Sequence, residues 1–263
     1  MAAPQNPMFG LGDEDDEVPS GALVDDGLGT AAPRPTHLRS LPSDGFDLSD
    51  LPTPDGSRHA GRYALIAKRA LDLVIAAVVL VVTLPVLVVA AVAVRLSMGG
   101  PVLFRQVRLG RHGEPFEVLK FRTMKPDRRR REEGGPPEGS PERRRTHKSA
   151  DHPLLTPVGR VLRTYSVDEL PQLINVLRGD MSIVGPRPEL PSVVAGYDDW
   201  QYGRLLVRPG LTGLWQITAR GDGGPMHERT DLDIDYVRTM GLRTDVRIMA
   251  ATPRAMLGAH KGY

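Results

Sequence analysis

The sequence predicts an α+β protein in which a re-entrant, helix-break-helix membrane hairpin precedes a compact, mainly helical domain with a small β-hairpin. Three observations support this prediction. Leu73–Val94 is an uncharged apolar run of 22 residues with Pro85 near its midpoint. Two β-rich segments, Val102–Leu109 and Phe116–Arg122, follow and flank a turn rich in Gly and Pro. Apolar residues then recur at helical spacing between Leu170 and Leu177.

Composition limits the class of protein. The chain has 263 residues, of which 40% are apolar, so it is long enough for one domain with extra segments. The absence of cysteine excludes a disulfide framework, a thiolate nucleophile and Cys-based metal sites. The net charge of +2 hides an asymmetry. Residues 1–60 carry 11 acidic side chains against three arginines, a net of −8, and the remainder carries +10.

The charge and composition divide the chain into three parts. Residues 1–60 are predicted to be a disordered acidic tail, because a segment so poor in apolar periodicity cannot offset the entropy of ordering. A docking role for this tail is the alternative. Residues 61–98 are predicted to be the membrane-embedded helix with its flanks, and residues 99–263 the globular domain. Within that domain, residues 126–149 are predicted to be a mobile, charged insert.

The apolar run is long enough to cross a bilayer, because a helix of this length reaches about 33 Å. However, Pro85 removes a backbone hydrogen bond near the midpoint. Basic residues lie on both sides of the run, which favours the cytoplasmic face for both ends. We therefore expect a helix that breaks at Thr83–Pro85 and returns to the same leaflet, with Thr83 compensating freed backbone groups. A kinked spanning helix is the alternative.

Two groups of cations lie in the β-hairpin and the insert. Lys120 and Arg122 share one face of the second strand. The arginine clusters of the insert are available to anionic lipid headgroups. We expect no nucleic-acid binding, because no aromatic residues alternate with these arginines to stack on bases.

The densest chemistry lies between Leu162 and Arg178. Ser166 and Glu169 have capping-box spacing, so one interpretation is that Asp168 and Glu169 only complement a helix N-terminus. Pro171 indicates that the regular helix begins nearer Asp168 than Ser166. Adjacent carboxylates beside free N–H groups also form a place where a phosphate and a divalent cation can meet.

Two arginines follow in rigid turns. Pro186 and Pro188 bracket Arg187 and hold its backbone extended, which suits bidentate phosphate binding. Arg208 precedes a Pro-Gly turn in the same way. A surface turn is the alternative explanation for each.

Five motifs occur in order along the chain: KRALD (68–72), GPVLFRQVRLG (100–110), KFRTM (120–124), RTYSVDELPQLINVLRGDMSIVGPRPE (163–189) and VRPGLTGLWQI (207–217). Together they resemble the bacterial sugar transferase family, the monotopic polyprenyl-phosphate phosphoglycosyl transferases that start exopolysaccharide, O-antigen and glycoprotein glycan assembly. The resemblance covers about residues 64–260, which is nearly everything outside the tail.

The resemblance implies a definite reaction. Family members move hexose-1-phosphate from a nucleotide-diphosphate sugar, usually a UDP-sugar, to a polyprenyl phosphate such as undecaprenyl phosphate, and release UMP. By resemblance, Asp168 is the nucleophile that forms a phosphosugar-aspartyl intermediate, and Glu169, with Asp168, helps to hold Mg²⁺. The candidates for phosphate binding are Arg187, Arg208, Lys120, Arg122 and Arg163.

The resemblance also implies a place and partners. It puts the protein at the bacterial cytoplasmic (inner) membrane, with its catalytic domain facing the cytoplasm and its helix in contact with membrane lipids. Downstream glycosyltransferases and a second copy of the chain are further partners left open. A catalytically idle membrane scaffold and a nucleic-acid adaptor are the competing hypotheses. The sugar, the glycan pathway and the lipid chain length are not readable from the sequence.

Overall fold

The computed structural model describes residues 66–125, 152–218 and 229–258. The predicted tail (1–60) and insert (126–149) lie outside these residues. The helices are α1 (Lys68–Met98), α2 (Pro157–Thr164), α3 (Gln172–Arg178), α4 (Pro191–Val194), α5 (Leu214–Thr218), α6 (Thr230–Thr239) and α7 (Leu242–Gly258). The strands are β1 (Leu103–Leu109), β2 (Pro115–Phe121), β3 (Ser182–Val184) and β4 (Gly210–Thr212). Short 3₁₀ segments span Arg111–Gly113, Val167–Glu169 and Asp199–Leu206.

The four strands form two small sheets. β1 and β2 are the expected antiparallel hairpin, with Phe104 opposite Lys120 and Arg108 opposite Phe116. β2 ends at Phe121, so Arg122 follows the strand instead of belonging to it. β3 and β4 form a parallel pair that the sequence analysis does not anticipate, because each strand has only three residues. The described part of the chain is thus a mixed α+β structure.

α1 is one continuous helix of 31 residues that runs through Pro85. Among the described residues it is the one helix whose length and composition allow it to cross a membrane. The predicted break at Thr83–Pro85 is not confirmed. The Thr83 hydroxyl donates 2.7 Å to the carbonyl of Val79. That carbonyl is not the one that proline leaves without its helical donor, which belongs to Val81.

Both ends of α1 contact the same globular domain. At the start, the Lys68 ammonium lies 2.6 Å from the Asp245 carboxylate of α7, and Arg69 donates 2.6 Å to the carbonyl of Val176 in α3. At the other end, Arg122 donates 2.6 Å to the carbonyl of Met98. Between these ends, buried and half-buried side chains on one face of α1 pack against the domain. The middle of the helix exposes apolar side chains: Val81, Val82, Leu84, Val86, Val88 and Val89.

The domain core joins α1, α3, β2, β3, α6 and α7. Its fully buried side chains include Ala76, Leu173, Val176, Met181, Val184, Tyr236 and Ile248. Asn175, also fully buried, accepts 3.0 Å from the N–H of Leu119 and donates 2.7 Å to the carbonyl of Glu117. These bonds fix α3 to the backbone of β2. As a result, Lys120 of β2 lies beside the turn that precedes α3.

Candidate active site

Asp168 and Glu169 lie on the 3₁₀ turn Val167–Glu169, not in the first turn of a regular helix. Ser166 before them has a left-handed backbone (φ 53°) and makes no side-chain cap bond. The capping-box interpretation is therefore wrong, and α3 begins only at Gln172. Pro171 takes the position before that first residue, where its missing N–H costs no helical hydrogen bond.

Two cations bind Glu169. The Lys120 ammonium donates 2.8 Å to its Oε1 from β2. Arg187 donates 2.5 Å to Oε1 and 3.3 Å to Oε2 from the loop after β3. Burial by itself would raise the pKa of Glu169, but Arg187 and Lys120 outweigh it and hold that pKa well below its ordinary value. Glu169 is thus a permanent anion with both oxygens engaged.

Asp168, next to Glu169, lies in an environment that raises its pKa instead of lowering it. Burial, and then the Glu169 charge, raise the pKa of Asp168 from 3.8 to about 6. Lys120, Arg163 and Arg187 are the nearby charges that limit this rise. A carboxylate with a raised pKa is more basic than an ordinary one and is still ionised at pH 7. Of the two acids, Asp168 is therefore the more basic.

A small pocket is lined by both of the cations that bind Glu169. Its lining residues are Arg108, Val118, Lys120, Gln172, Arg187 and Pro188. The sequence analysis did not select Arg108 or Gln172. The hairpin register could have identified Arg108, because alternation places it on the same face of the sheet as Lys120. Arg108 is held by Glu189, whose carboxylate accepts from it at 3.3 Å.

The loop that carries Arg187 is held from behind by a residue the sequence analysis missed. Arg204 has a side chain only 2% exposed, and it donates 2.6 Å to the backbone carbonyl of Arg187. The same guanidinium lies 2.7 Å from the Asp233 carboxylate and donates to the Tyr197 hydroxyl. Burial raises the pKa of Asp233 to about 6, against the attraction of Arg204. No local motif marks Arg204, since Arg187 and Asp233 are both at least 17 residues away in sequence.

Two predicted phosphate-binding residues lie elsewhere. Arg122 donates to the carbonyls of Met98, Gly99 and Gly100, and so caps the end of α1. Arg208 donates 2.9 Å to the carbonyl of Gly179, which follows the last residue of α3. Each arginine therefore satisfies carbonyls at the end of a helix, a role for which cations are suited.

Arg163 and Thr83 complete the set of predicted residues. Arg163 donates 3.0 Å to the Thr123 hydroxyl and is close enough to Asp168 to lower its pKa. The structure thus groups Lys120, Arg163 and Arg187 around the dyad. Thr83 and Pro85 belong to α1 and take no part in this cluster.

The donor set of the dyad fits a magnesium ion shared with a substrate. In the described parts of the chain, no group of three or more His, Asp or Glu side chains could hold a metal. Magnesium in phosphate-handling sites, however, is usually bound by one or two carboxylates, water and the phosphate oxygens. Asp168 and Glu169 supply that number of carboxylates, although Glu169 is also shared with Lys120 and Arg187.

The fold and the site define a class: an α+β protein with one long apolar helix and a carboxylate dyad surrounded by cations, an arrangement suited to phosphate substrates. Comparison with known families agrees. Residues 63–259 match the model of the family described as "Bacterial sugar transferase". The chain therefore belongs to the bacterial sugar transferase family and is an enzyme of that class.

Several curated proteins are similar to this chain. One, from Caulobacter vibrioides, is named UDP-glucose:undecaprenyl-phosphate glucose-1-phosphate transferase and is 41% identical over 209 residues, 75% of this chain and 72% of that protein. Exopolysaccharide production protein ExoY from Rhizobium meliloti is 40% identical over 207 residues, 75% and 88% of the two chains. Undecaprenyl-phosphate galactose phosphotransferase from Salmonella typhimurium is 36% identical over 208 residues, 78% of this chain and 43% of that longer protein.

Proposed function

We propose that this enzyme transfers hexose-1-phosphate from a UDP-sugar to a polyprenyl phosphate at the cytoplasmic face of the bacterial inner membrane, and releases UMP. The product would start an exopolysaccharide or another glycan. The observation that carries this proposal is the dyad, in which Asp168 has a raised pKa beside a Glu169 clamped by Lys120 and Arg187. The names of the similar proteins support the same class of donor and acceptor.

The proposed chemistry has two displacements. In the first, a carboxylate oxygen of Asp168 attacks the sugar-bearing phosphorus of the donor, and the bond from that phosphorus to the bridging oxygen breaks. UMP leaves with the electron pair of that bond. In the second, an oxygen of the polyprenyl phosphate attacks the same phosphorus and regenerates the Asp168 carboxylate. Covalent catalysis divides a displacement between two anions into two easier steps.

The cations around the dyad give this chemistry its electrostatic support. Lys120 and Arg187 line the pocket, where they would bind phosphate oxygens and neutralise the charge that develops as UMP leaves. Arg163 adds a third positive charge near Asp168. Magnesium held by Asp168 and Glu169 would supply further charge neutralisation on the diphosphate when bound. Glu169 keeps the two basic side chains in place before the donor arrives.

The contacts of α1 support an arrangement in which both ends of the helix lie on the same side of the membrane. A helix of 31 residues is about 46 Å long, so a helix crossing the bilayer would put its two ends on opposite sides. Yet Lys68 and Met98, the terminal residues, both contact the globular domain. We infer that both ends lie at the cytoplasmic face, with the exposed apolar middle of α1 in the lipid. The dyad would then lie at the surface where a polyprenyl phosphate is presented.

The test is UMP release by the full chain in nanodiscs with undecaprenyl phosphate, magnesium and a panel of UDP-sugars. We expect release with at least one sugar, its loss in Asp168→Asn, and its loss on chelation of magnesium. Asp199→Asn, at an exposed acid on another segment, is the matched control and should keep full activity. Without acceptor, the enzyme should release about one UMP per active site, as a covalent intermediate requires. Wild-type activity in Asp168→Asn would disprove the assigned nucleophile.

A further inference from the structure

The loop that carries Arg187 has a neighbour at the same edge of the small parallel sheet. Since β3 and β4 are parallel, the loops after them leave from the same edge, which is where ligands bind in parallel sheets. The N–H of Gly185 donates 2.9 Å to the carbonyl of Thr212, which joins the two loops. A Cβ added to Gly213 would lie 2.3 Å from the carbonyl oxygen of Gly185. The two loops therefore form one continuous surface.

Gln216 of α5 lies on this surface with an unpaired carboxamide. Its residue is 6% exposed, and among the residues that the structure describes neither its Nε2 nor its Oε1 has a hydrogen-bond partner. The Oε1 atom is 2.9 Å from the position of a Cβ on Gly213, so the amide packs directly against the joined loops. A buried amide without partners is costly to keep, and a bound ligand or an ordered water would supply the missing bonds.

We propose that the Gln216 carboxamide binds the nucleobase of the donor. This inference rests on the proposed function. A carboxamide offers one donor and one acceptor side by side, and the edge of uracil offers a carbonyl oxygen next to the N3–H. In this subsite, Nε2 donates to that carbonyl oxygen and Oε1 accepts from N3–H.

The order of groups along the site indicates that Gln216 contacts the base of the donor rather than its sugar. Asp168 takes the sugar-bearing phosphorus, and Arg187 reaches from its loop to Glu169 beside Asp168. Gln216 lies against Gly213 of the adjoining loop, and Gly213 in turn lies against Gly185, two residues before Arg187. A donor that extends from Asp168 past Arg187 presents its nucleoside, not its hexose, at Gln216. Because Gln216 is 6% exposed, binding of the base at its amide requires local movement of the side chains that cover it.

The neighbouring Trp215 provides a direct readout of binding. Its ring is buried against Leu232, and its indole N–H has no partner among the described residues. The chain contains two tryptophans, and the other, Trp200, is 48% exposed. In a Trp200→Phe background, the remaining fluorescence reports on α5 alone. This background touches no residue of the active site.

The experiment measures UMP binding to the full chain in nanodiscs by Trp215 fluorescence and by calorimetry, in the Trp200→Phe background with and without Gln216→Met. Methionine keeps the volume of glutamine and removes both polar groups. We expect UMP affinity to fall about tenfold or more, the KM for the UDP-sugar to rise by the same factor, and the ligand-free protein to unfold at the same or a higher temperature. Gln201→Met is the matched control, because the Gln201 amide is already paired with Asp198 and Thr230.

Three outcomes would overturn the subsite. If Gln216→Met binds UMP as the parent does but raises the KM for the UDP-sugar, the amide contacts the hexose instead. If neither changes, the amide is only structural. In both cases the parent binds UMP, so the proposed function survives while this inference fails. If the parent itself binds no UMP, the UDP-sugar donor of the proposed function is wrong, and the subsite is wrong with it.

Discussion

The buried guanidinium of Arg204 donates a 2.6 Å hydrogen bond to the backbone carbonyl of Arg187, the residue that clamps the acidic dyad. Arg204 is itself held by Asp233 of α6. A buried ion pair is a weak source of stability, because the desolvation of both charges offsets their attraction. We therefore interpret this pair as a device that positions the Arg187 loop before the donor binds.

Replacing Arg204 should show whether this residue positions the Arg187 loop or only stabilises the folded protein. Lysine keeps the charge but lacks the planar fork that reaches three acceptors, so Arg204→Lys should raise the donor KM about tenfold and leave the pH profile unchanged. Arg204→Met should unfold more easily, because Asp233 is then buried without a counter-charge. The double variant Arg204→Met/Asp233→Leu should regain the stability of the parent protein, but its donor KM should stay raised. A double variant with normal KM would show that the pair has only a structural role.

Asp168→Asn should be more stable than the parent protein while being inactive. The folded state raises the pKa of Asp168 from 3.8 to about 6, so ionising this group costs stability that grows between about pH 4 and pH 6 and is fully present above pH 6. Asparagine removes that cost, on the order of 3 kcal/mol at pH 7. We expect a higher unfolding temperature in detergent at pH 7, no gain at pH 4, and at least about a thousandfold loss of turnover. A lower unfolding temperature at pH 7 would contradict the assigned environment of Asp168.

The rate of sugar-phosphate transfer should depend on pH through the ionisation of Asp168. The nucleophile must be ionised, so kcat/KM should rise tenfold per pH unit below the pKa of Asp168, about 6, and level off above pH 7. Burial raises the pKa of Asp233 to about 6 as well, so its titration is the main alternative cause of this rise, the acidic limb of the pH profile. Asp233→Asn is therefore the control. The limb should persist in that variant, and its disappearance would assign the limb to Asp233.

The topology of α1 can be tested with single cysteines, because the chain has none of its own. Ala67 and Ser97, at the two ends of the helix, are exposed. An impermeant maleimide should label Ala67→Cys and Ser97→Cys from the cytoplasmic side alone. Adding Pro85→Leu should strengthen the straight helix and expose Ala67→Cys to the periplasmic side in part of the molecules. Periplasmic labelling of Ala67→Cys without that change would indicate a spanning helix.

Asn175 should be a strong determinant of stability. Its side chain is fully buried and satisfies the N–H of Leu119 and the carbonyl of Glu117. Asn175→Ala leaves both backbone groups unpaired and opens a cavity, so we expect a loss of about 2–4 kcal/mol in the free energy of unfolding. Thermal unfolding measures this loss. Ser192→Ala on the exposed side of α4 is the control and should change little.

Local patterns in the sequence predicted the elements whose determinants are local. The apolar run of α1, the β1–β2 hairpin and the helical spacing before Arg178 depend on residues close together in the chain. The same holds for the dyad itself, since Asp168 and Glu169 are adjacent. The start of α3 was predicted less well, because a left-handed Ser166 and Pro171 together replace the expected cap with a 3₁₀ turn.

By itself, the sequence determined the apolar helix, the hairpin, the family and the presence of an acidic dyad among many arginines. Only the tertiary structure decided what each arginine does. An arginine carries the same charge and donors everywhere, and its role depends on which acceptor the fold brings near. Arg187 meets Glu169, whereas Arg122 and Arg208 meet the carbonyl ends of helices. The parallel pairing of β3 with β4 brings Gly185 against Gly213, more than twenty residues away in sequence.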